Sequence, residues 1–203
     1  MPLFKKLPGV SLPHNKGTAK TAPVAMPTPA SVLMPLSMHI GAPATPVVKT
    51  GDIVTVGQVI AEASGYVSAK IHSSVSGKVK NTDTTILSNG RKVSAILIES
   101  DGLNTPCDTL APREVNTLEE LVNAVKDSGI VGLGGAGFPT AVKLNVKSVE
   151  EIVINGAECE PLLRNDRYLM RNMAEQIVST TDLMAKELNI PNAVIALKGH
   201  YHD

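Results

Sequence analysis

The run Val48-Lys49-Thr50-Gly51-Asp52-Ile53-Val54-Thr55-Val56-Gly57-Gln58-Val59-Ile60-Ala61-Glu62 decides the fold of the first half of the chain. Short β-branched stretches alternate with turns at Gly51-Asp52 and Gly57-Gln58, a spacing too tight for helices. The same grammar continues to residue 100. It predicts strands at Pro46–Val48, Ile53-Val54, Val59–Glu62, Tyr66–Ala69, Ser76–Val79 and Val93–Glu99, with turns at Gly65, Gly77 and Asn89-Gly90. Asn-Gly is the strongest short hairpin signal, because both residues tolerate positive φ. Short strands with turns this frequent predict a small all-β sandwich or barrel over 46–105.

Upstream, residues 1–45 carry Pro2, Pro8, Pro13, Pro23, Pro27, Pro29, Pro35 and Pro43 and no helical period. Proline fixes φ and lacks a backbone donor, so this stretch predicts an extended arm with edge strands. Its apolar patches, Val32-Leu33-Met34 and Met38-His39-Ile40, predict that part of the arm packs. Downstream, 101–116 is polar with Pro106 and Pro112 and reads as a linker, and its Cys107 as an ordinary thiol. Helical periodicity begins at Thr117. Thr117 and Glu120 form a capping box, Leu118, Leu121, Val122 and Val125 follow on one face, and Gly129 closes the helix. A buried strand is predicted over Glu151–Ile154, ending at Asn155. A helix follows from about Arg167 to Leu188, with Leu169, Met173, Ile177 and Met184 on one face. Pro191 stops it, and Ala193–Leu197 is a second buried strand. This order predicts a partial α/β domain with parallel strands over 117–203, and a mixed α+β chain as a whole. So little follows the last strand that the α/β domain is expected to be a fragment.

The chain has 203 residues with 19 Lys+Arg against 19 Asp+Glu. A formal charge of zero argues against nucleic acid or anionic lipid as the main partner. Aromatics make up 2% with no Trp, which disfavours stacking platforms. Two cysteines, Cys107 and Cys159, are too few for a disulfide scaffold or a four-cysteine cluster. No apolar run approaches ~20 residues and no signal-peptide core opens the chain, which predicts a soluble intracellular protein without membrane insertion.

Two segments could carry chemistry. In Gly132-Leu133-Gly134-Gly135-Ala136-Gly137-Phe138-Pro139-Thr140 the glycines raise the entropy cost of folding, and in return they admit positive φ and close ligand approach, with amides turned to an anion. The string matches G-x-G-x-x-G, but a capped helix precedes it, only Ile130-Val131 could be strand, and Pro139 stands where a helix should begin. A tight structural turn is the competing reading. Lys143 is within reach of a phosphate held there, or is a solvated surface lysine. The second segment, Asn155-Gly156-Ala157-Glu158-Cys159-Glu160-Pro161, follows a strand, where open α/β sheets bind ligands. Its amide and two carboxylates suit ribityl or ribose hydroxyls and ring N–H groups; a polar loop is the alternative, and a metal site on Glu158, Cys159 and Glu160 is disfavoured because no His is close in sequence. Arg164, Asp166 and Arg167 read as helix-start charges, and His14, His39 and His72 as structural.

The run at 48–58 with Ser74–Val79 resembles the barrel-sandwich hybrid of biotinyl and lipoyl carriers, but no lysine stands on a hairpin tip as covalent attachment would need. The two chemical segments in this order resemble the flavin- and NADH-binding core of the complex I NADH-binding flavoprotein subunit. Leu12-Pro13-His14-Asn15-Lys16, Pro35–Pro43 and His72–Gly77 narrow the resemblance to the C subunit of the Rnf electron-transport complex. Its relatives include a cobalamin reductase and a proline-reductase electron carrier. The resemblance implies that Gly132, Gly134 and Gly135 wrap FMN with Lys143 on its phosphate. It implies that Asn155, Glu158 and Cys159 line the flavin, while Phe138 and Glu160 contact NADH. It further implies electron transfer to [4Fe-4S] clusters outside this chain and association with other subunits of the complex. The location implied is cytoplasmic, peripheral on the inner face of the plasma membrane. Ala157 departs from the aspartate of the complex I pattern. A subunit-docking module without cofactor is the competing reading.

Overall fold

The computed structural model describes residues 17, 21–133, 135–158 and 162–199. These form two compact units, one spanning Ala25–Ser148 and the other comprising the described residues before Ala25 and from Val149 onward.

The first unit is built on two antiparallel sheets. One has the order β1 (Ser31–Pro35), β7 (Lys92–Ser100), β6 (Gly77–Ile86), β3 (Ile53–Val54); the other joins β2 (Thr45–Pro46), β4 (Val59–Glu62) and β5 (Ile71–His72). Val54, Ile60, Ala61, Val79, Ile96 and Ile98 are fully enclosed, with Leu36, Ala44, Ile71 and Val75 around them. This is the β-rich barrel-sandwich module expected from the glycine-punctuated run. β1 lies within the proline-rich stretch and runs antiparallel to β7, Leu33 opposite Leu97. Pro35 stands at its last position, where an edge strand tolerates a missing donor.

Two strand expectations need correction. Tyr66–Ala69 is not a strand: the Ser68 hydroxyl donates to the Ala42 carbonyl at 2.9 Å, the Ala42 N–H donates to Val67 O at 3.0 Å, and Tyr66 is exposed. β6, expected to end at Val79, runs on to Ile86 and pairs with β7 as far as Ile86 opposite Lys92. The extension, Lys80-Asn81-Thr82-Asp83-Thr84-Thr85, has almost no apolar residue, so hydropathy hid it. The Asn89-Gly90 turn closes the hairpin as expected, with Gly90 at φ +80° and the Leu87 N–H donating to Arg91 O at 2.9 Å.

Helix α1 (Leu118–Asp127) starts as the capping box predicts: the Thr117 hydroxyl accepts the Glu120 N–H at 3.1 Å. The Glu120 carboxylate reaches one residue further back than the usual box and accepts the Asn116 N–H at 2.8 Å. The helix ends in a Schellman motif. Gly129 at φ +64° donates to Lys126 O, and the Ile130 N–H donates to Val125 O. A short helix absent from the sequence reading, α2 (Thr140–Leu144), packs on α1 and buries Ala141 and Leu144.

The end of α1 is tied to the β-module by ions. Lys70 Nζ lies 3.1 Å from Asp127 Oδ1 and 3.4 Å from Glu62 Oε2, and Arg113 Nη1 lies 2.7 Å from Asp127 Oδ2. Arg113 first and Lys70 second hold the Asp127 carboxyl below its ordinary range, and the Asp127 partner raises the Lys70 ammonium. A depressed carboxyl stabilises above its unfolded pKa and loses that contribution as pH falls through the folded value. Asp127→Asn is therefore expected to lower stability by no more than about 1 kcal/mol at pH 7, because the pair is partly solvated. The difference from the parent chain should shrink on acidification below the ordinary carboxylate value of 3.8 and vanish only below the depressed folded value. Thermal melts of both proteins at pH 7 and pH 3 check this; an equal gap at both pH values would remove the ion cluster as its cause.

In the second unit β8 (Glu151–Asn155) and β9 (Asn192–Ala196) pair in parallel, Val153 opposite Val194. This is the parallel pairing expected of the α/β half. The two strands are not buried as expected: Glu151, Val153 and Asn155 alternate outward, and Val153 and Val194 are exposed. Helix α4 (Ala174–Glu187) packs against β9. The helix expected from Arg167 to Leu188 is two helices, α3 (Asn165–Asn172) and α4 (Ala174–Glu187), broken at Met173 with φ −129° and ψ 29°. The Asn172 side chain donates to Tyr168 O at 2.8 Å and competes with the backbone ladder there. No helix among the described residues is long and apolar enough to cross a membrane.

Candidate functional site

The glycine loop leaves the Schellman turn of α1 and returns to Pro139, the N-cap of α2. Its neck is a small antiparallel bridge. The Gly132 N–H donates to Phe138 O at 3.0 Å and the Thr140 N–H to Ile130 O at 2.9 Å. The loop's glycines then divide into two kinds. Gly137 is required by the fold: its φ is +67°, and a Cβ there would lie 2.8 Å from Met38 O and 2.9 Å from His39 Cα. The Ile40 N–H also donates to Gly137 O at 3.3 Å, so Met38–Ile40 forms a seat on which the loop rests. His39 is buried in that seat, its Nε2 accepting the Ala69 N–H at 3.2 Å, the structural role expected for it.

Gly132 and Gly135 are of the other kind. Neither has a left-handed φ; a Cβ on Gly135 meets nothing within 4 Å, and one on Gly132 meets nothing nearer than Lys143 Nζ at 3.8 Å. Packing of the described residues does not explain these two glycines. Leu133, beside Gly132 in the loop, is almost wholly exposed. The N–H groups of Leu133, Gly135 and Ala136 have no hydrogen-bond acceptor among the described residues. The loop thus presents open backbone and unused donors, the conditions for binding an anion. Lys143, on α2, places its ammonium 5.8 Å from the centroid of the Phe138 ring. The fold therefore brings Gly132, Phe138 and Lys143 together, with Gly135 further along the same loop; Gly134 lies outside the described residues.

A cleft of about 500 Å³ opens against this loop, walled by Ser37–Ile40, by the hairpin tip at Leu87–Asn89 and Arg91, and by 131–133 and 135–137. The sequence reading did not connect the hairpin tip with the glycine loop. Asn89-Gly90 identified a turn, but nothing local states what the turn overhangs.

In the second unit, β8 ends at Asn155, whose side-chain oxygen accepts the Ala157 N–H at 3.0 Å. Gly156 is buried and donates to Ala196 O at 2.9 Å. A Cβ there would approach Leu197 Cδ2 to 2.7 Å and Met170 Cε to 2.8 Å, so this glycine serves close packing at the strand end. Glu158 is buried, and its carboxylate accepts the Asp166 N–H at 3.2 Å in the first turn of α3. That contact places a negative charge where a helix N-terminus favours one. Asn155 thus ends the parallel strand β8, and Glu158 follows three residues beyond it. Cys159, Glu160 and Pro161 lie outside the described residues, as do Leu12–Lys16 and His14. No cluster of three or more His, Cys, Asp or Glu side chains fit for a metal is present among the described residues.

Two family models match the chain, and the boundary between them does not coincide with that between the compact units. Residues 4–103 match the family model described as the RnfC barrel sandwich hybrid domain, and residues 125–203 the model described as the Nuo51 FMN-binding domain. The chain is 41% identical over 204 residues to the C subunit of the Na(+)-translocating ferredoxin:NAD(+) oxidoreductase complex of Acetobacterium woodii, covering 96% of this chain and 46% of that protein. It is 40% identical over 195 residues to the C subunit of the ion-translocating oxidoreductase complex of Rhodobacter capsulatus, covering 92% of this chain and 37% of the relative. For the C subunit of the proton-translocating ferredoxin:NAD(+) oxidoreductase complex of Clostridium ljungdahlii the identity is 36% over 198 residues, covering 94% and 43%. The chain spans less than half the length of these curated relatives. With its first half matching the RnfC barrel sandwich hybrid model and these C subunits matched over more than nine-tenths of its length, the chain belongs to the RnfC family of electron-transport complex subunits.

Proposed function

We propose that this chain carries the flavin- and NADH-binding part of an ion-translocating electron-transport complex, and that NADH is oxidised there. The observation that carries the reading is the pair Gly132 and Gly135. Both leave backbone open where the fold needs no glycine, beside unused N–H donors, and the Lys143 ammonium lies 3.8 Å from where a Cβ on Gly132 would sit. These residues fit the phosphate end of FMN. In this reading Gly132, Gly134 and Gly135 admit the cofactor against the backbone, the loop amides donate to its phosphate oxygens, and Lys143 neutralises their charge. Phe138 offers its ring to the nicotinamide dinucleotide, and Glu160 contacts the same ligand. Asn155, Glu158 and Cys159 serve the polar groups of the flavin, with Glu158 fixed by its hold on the first turn of α3. Bound FMN would supply a two-electron acceptor that releases electrons singly, here to [4Fe-4S] clusters beyond this chain. Other subunits of the complex would hold the protein at the inner face of the membrane.

The test is a titration of FMN into the purified chain, followed by quenching of flavin fluorescence. Saturable quenching in the micromolar range supports the reading; none in a folded protein would favour a docking module instead. Lys143→Gln should weaken FMN about tenfold, the size of one charge-assisted contact, and leave riboflavin affinity unchanged because riboflavin has no phosphate. Equal losses for both ligands would take Lys143 off the phosphate.

A further inference from the structure

The long β6–β7 hairpin carries its tip over the glycine loop, a reach that the compact module does not need for its own core. Residues 80–85 of β6 add no fully buried side chain, and Ile86 is exposed. What the extension achieves is to bring Leu87–Asn89 and Arg91 to the cleft that 131–133 and 135–137 also line. The hairpin tip is itself well defined by hydrogen bonds. The Asn89 side chain accepts the Arg91 N–H at 3.0 Å, and Leu87 and Arg91 close the turn.

The chemistry of the cleft is one-sided. The lining includes Leu133, Gly135 and Ala136, whose N–H groups lack acceptors among the described residues. The rest of the lining includes Ser37, Ser88 and Arg91, and no Asp or Glu among the described residues lines the space. Arg91 has no carboxylate partner within ion-pair distance among the described residues, unlike Lys70, Lys80 and Arg113, each of which has one. The volume, about 500 Å³, falls in the ~300–1,000 Å³ range of small-molecule sites. Lys143 does not line the cleft, so the loop is served by two cations in different places: Lys143 beside Gly132 and Phe138, and Arg91 at the hairpin tip.

We propose that Arg91, carried by the β6–β7 hairpin, binds a phosphate of a nucleotide held in this cleft, so that the barrel-sandwich module supplies one wall of the nucleotide site. This rests on the flavin and NADH reading above and extends it to a module that the sequence presents as structural. A planar guanidinium suits phosphate through paired N–H donors, and the loop amides complete the cradle. The phosphate belongs either to the dinucleotide or to FMN, and the two sources separate by experiment.

Arg91→Gln and Lys92→Gln are compared with the parent chain, with FMN, riboflavin and NADH as ligands. Lys92 is the adjacent exposed cation and does not line the cleft, so it controls for the loss of one surface charge. The expected result is a weakening of about tenfold in Arg91→Gln, of NADH alone if the dinucleotide supplies the phosphate, or of FMN but not riboflavin if the flavin nucleotide does. Lys92→Gln should change neither by more than about twofold. Circular dichroism of both variants confirms that the hairpin remains folded. If the parent chain binds the nucleotides and Arg91→Gln binds them equally well, the role of Arg91 is overturned while the flavin reading stands. If the parent chain binds none of them, the flavin reading itself falls.

Discussion

Gly135→Val is expected to abolish FMN binding in a protein that melts normally, whereas Gly137→Val is expected to lose both binding and stability. The two positions are two residues apart in one loop, yet they do different work. At Gly135 the backbone is not left-handed and no atom stands within 4 Å of where a Cβ would sit, so valine meets only the space that a ligand would fill. At Gly137 valine would face Met38 O and His39 Cα at 2.8 and 2.9 Å and would also have to adopt φ +67°. Left-handed strain in a branched residue costs about 1–3 kcal/mol, and the clash adds to it. A loss of about 2–4 kcal/mol, or roughly 10 °C in melting temperature, is expected there. Flavin fluorescence titrations and thermal melts of the two variants give four numbers that must fall in this pattern. Tight FMN binding by Gly135→Val would sink the loop assignment outright. A destabilised Gly135→Val would show instead that the loop is a structural turn.

The same contrast explains what could be read from the sequence. Glycine density marked the loop at 132–137, but composition cannot say which glycines answer to the fold and which to a ligand. That distinction depends on Met38 and His39, far away in the chain, which become the seat of Gly137 only in three dimensions. Local signals carried well where the physics is local. Thr117 with Glu120, the Schellman glycine Gly129, and the Asn89-Gly90 turn all act within a few residues, and each stands where the sequence put it. Val59–Glu62 was legible because its residues are apolar and bounded by turns. The outer part of β6 was not, because Asn81–Thr85 form a strand through pairing with β7 and not through burial. The break at Met173 was hidden for a related reason. A periodic apolar face continues through it, and the interruption comes with one Asn172 side chain donating to Tyr168 O. Asn155 and Glu158 were identified as polar groups after a strand, and their local hydrogen bonds to Ala157 and Asp166 give them a structural duty that pattern alone does not reveal.

Ile60→Ala in the β-module is expected to lower the melting temperature by about 10 °C and to loosen the glycine loop with it, although Ile60 does not line the cleft. Ile60 is fully enclosed in the core with Val54, Val79, Ile96 and Ile98. Truncating a buried isoleucine to alanine costs about 2–5 kcal/mol, the transfer term plus a cavity that close packing cannot heal. The loop should follow because its support is borrowed. Gly137 rests on Met38 and His39, Ile40 donates to its carbonyl, and the Lys70–Asp127 pair ties the preceding helix to the same module. By contrast the loop's own neck holds only the Gly132–Phe138 and Thr140–Ile130 hydrogen bonds among the described residues, too few to persist alone. Hydrogen exchange resolves the two cases, since amides that open only with the whole unit lose protection in step with global stability. The Gly132 and Thr140 amides should therefore lose protection in Ile60→Ala by the same factor as core amides of β6 and β7. If those two amides kept their parent exchange rates while the core amides sped up, the loop would be an independently stable element. The barrel-sandwich module would then be a neighbour of the nucleotide site and not its foundation.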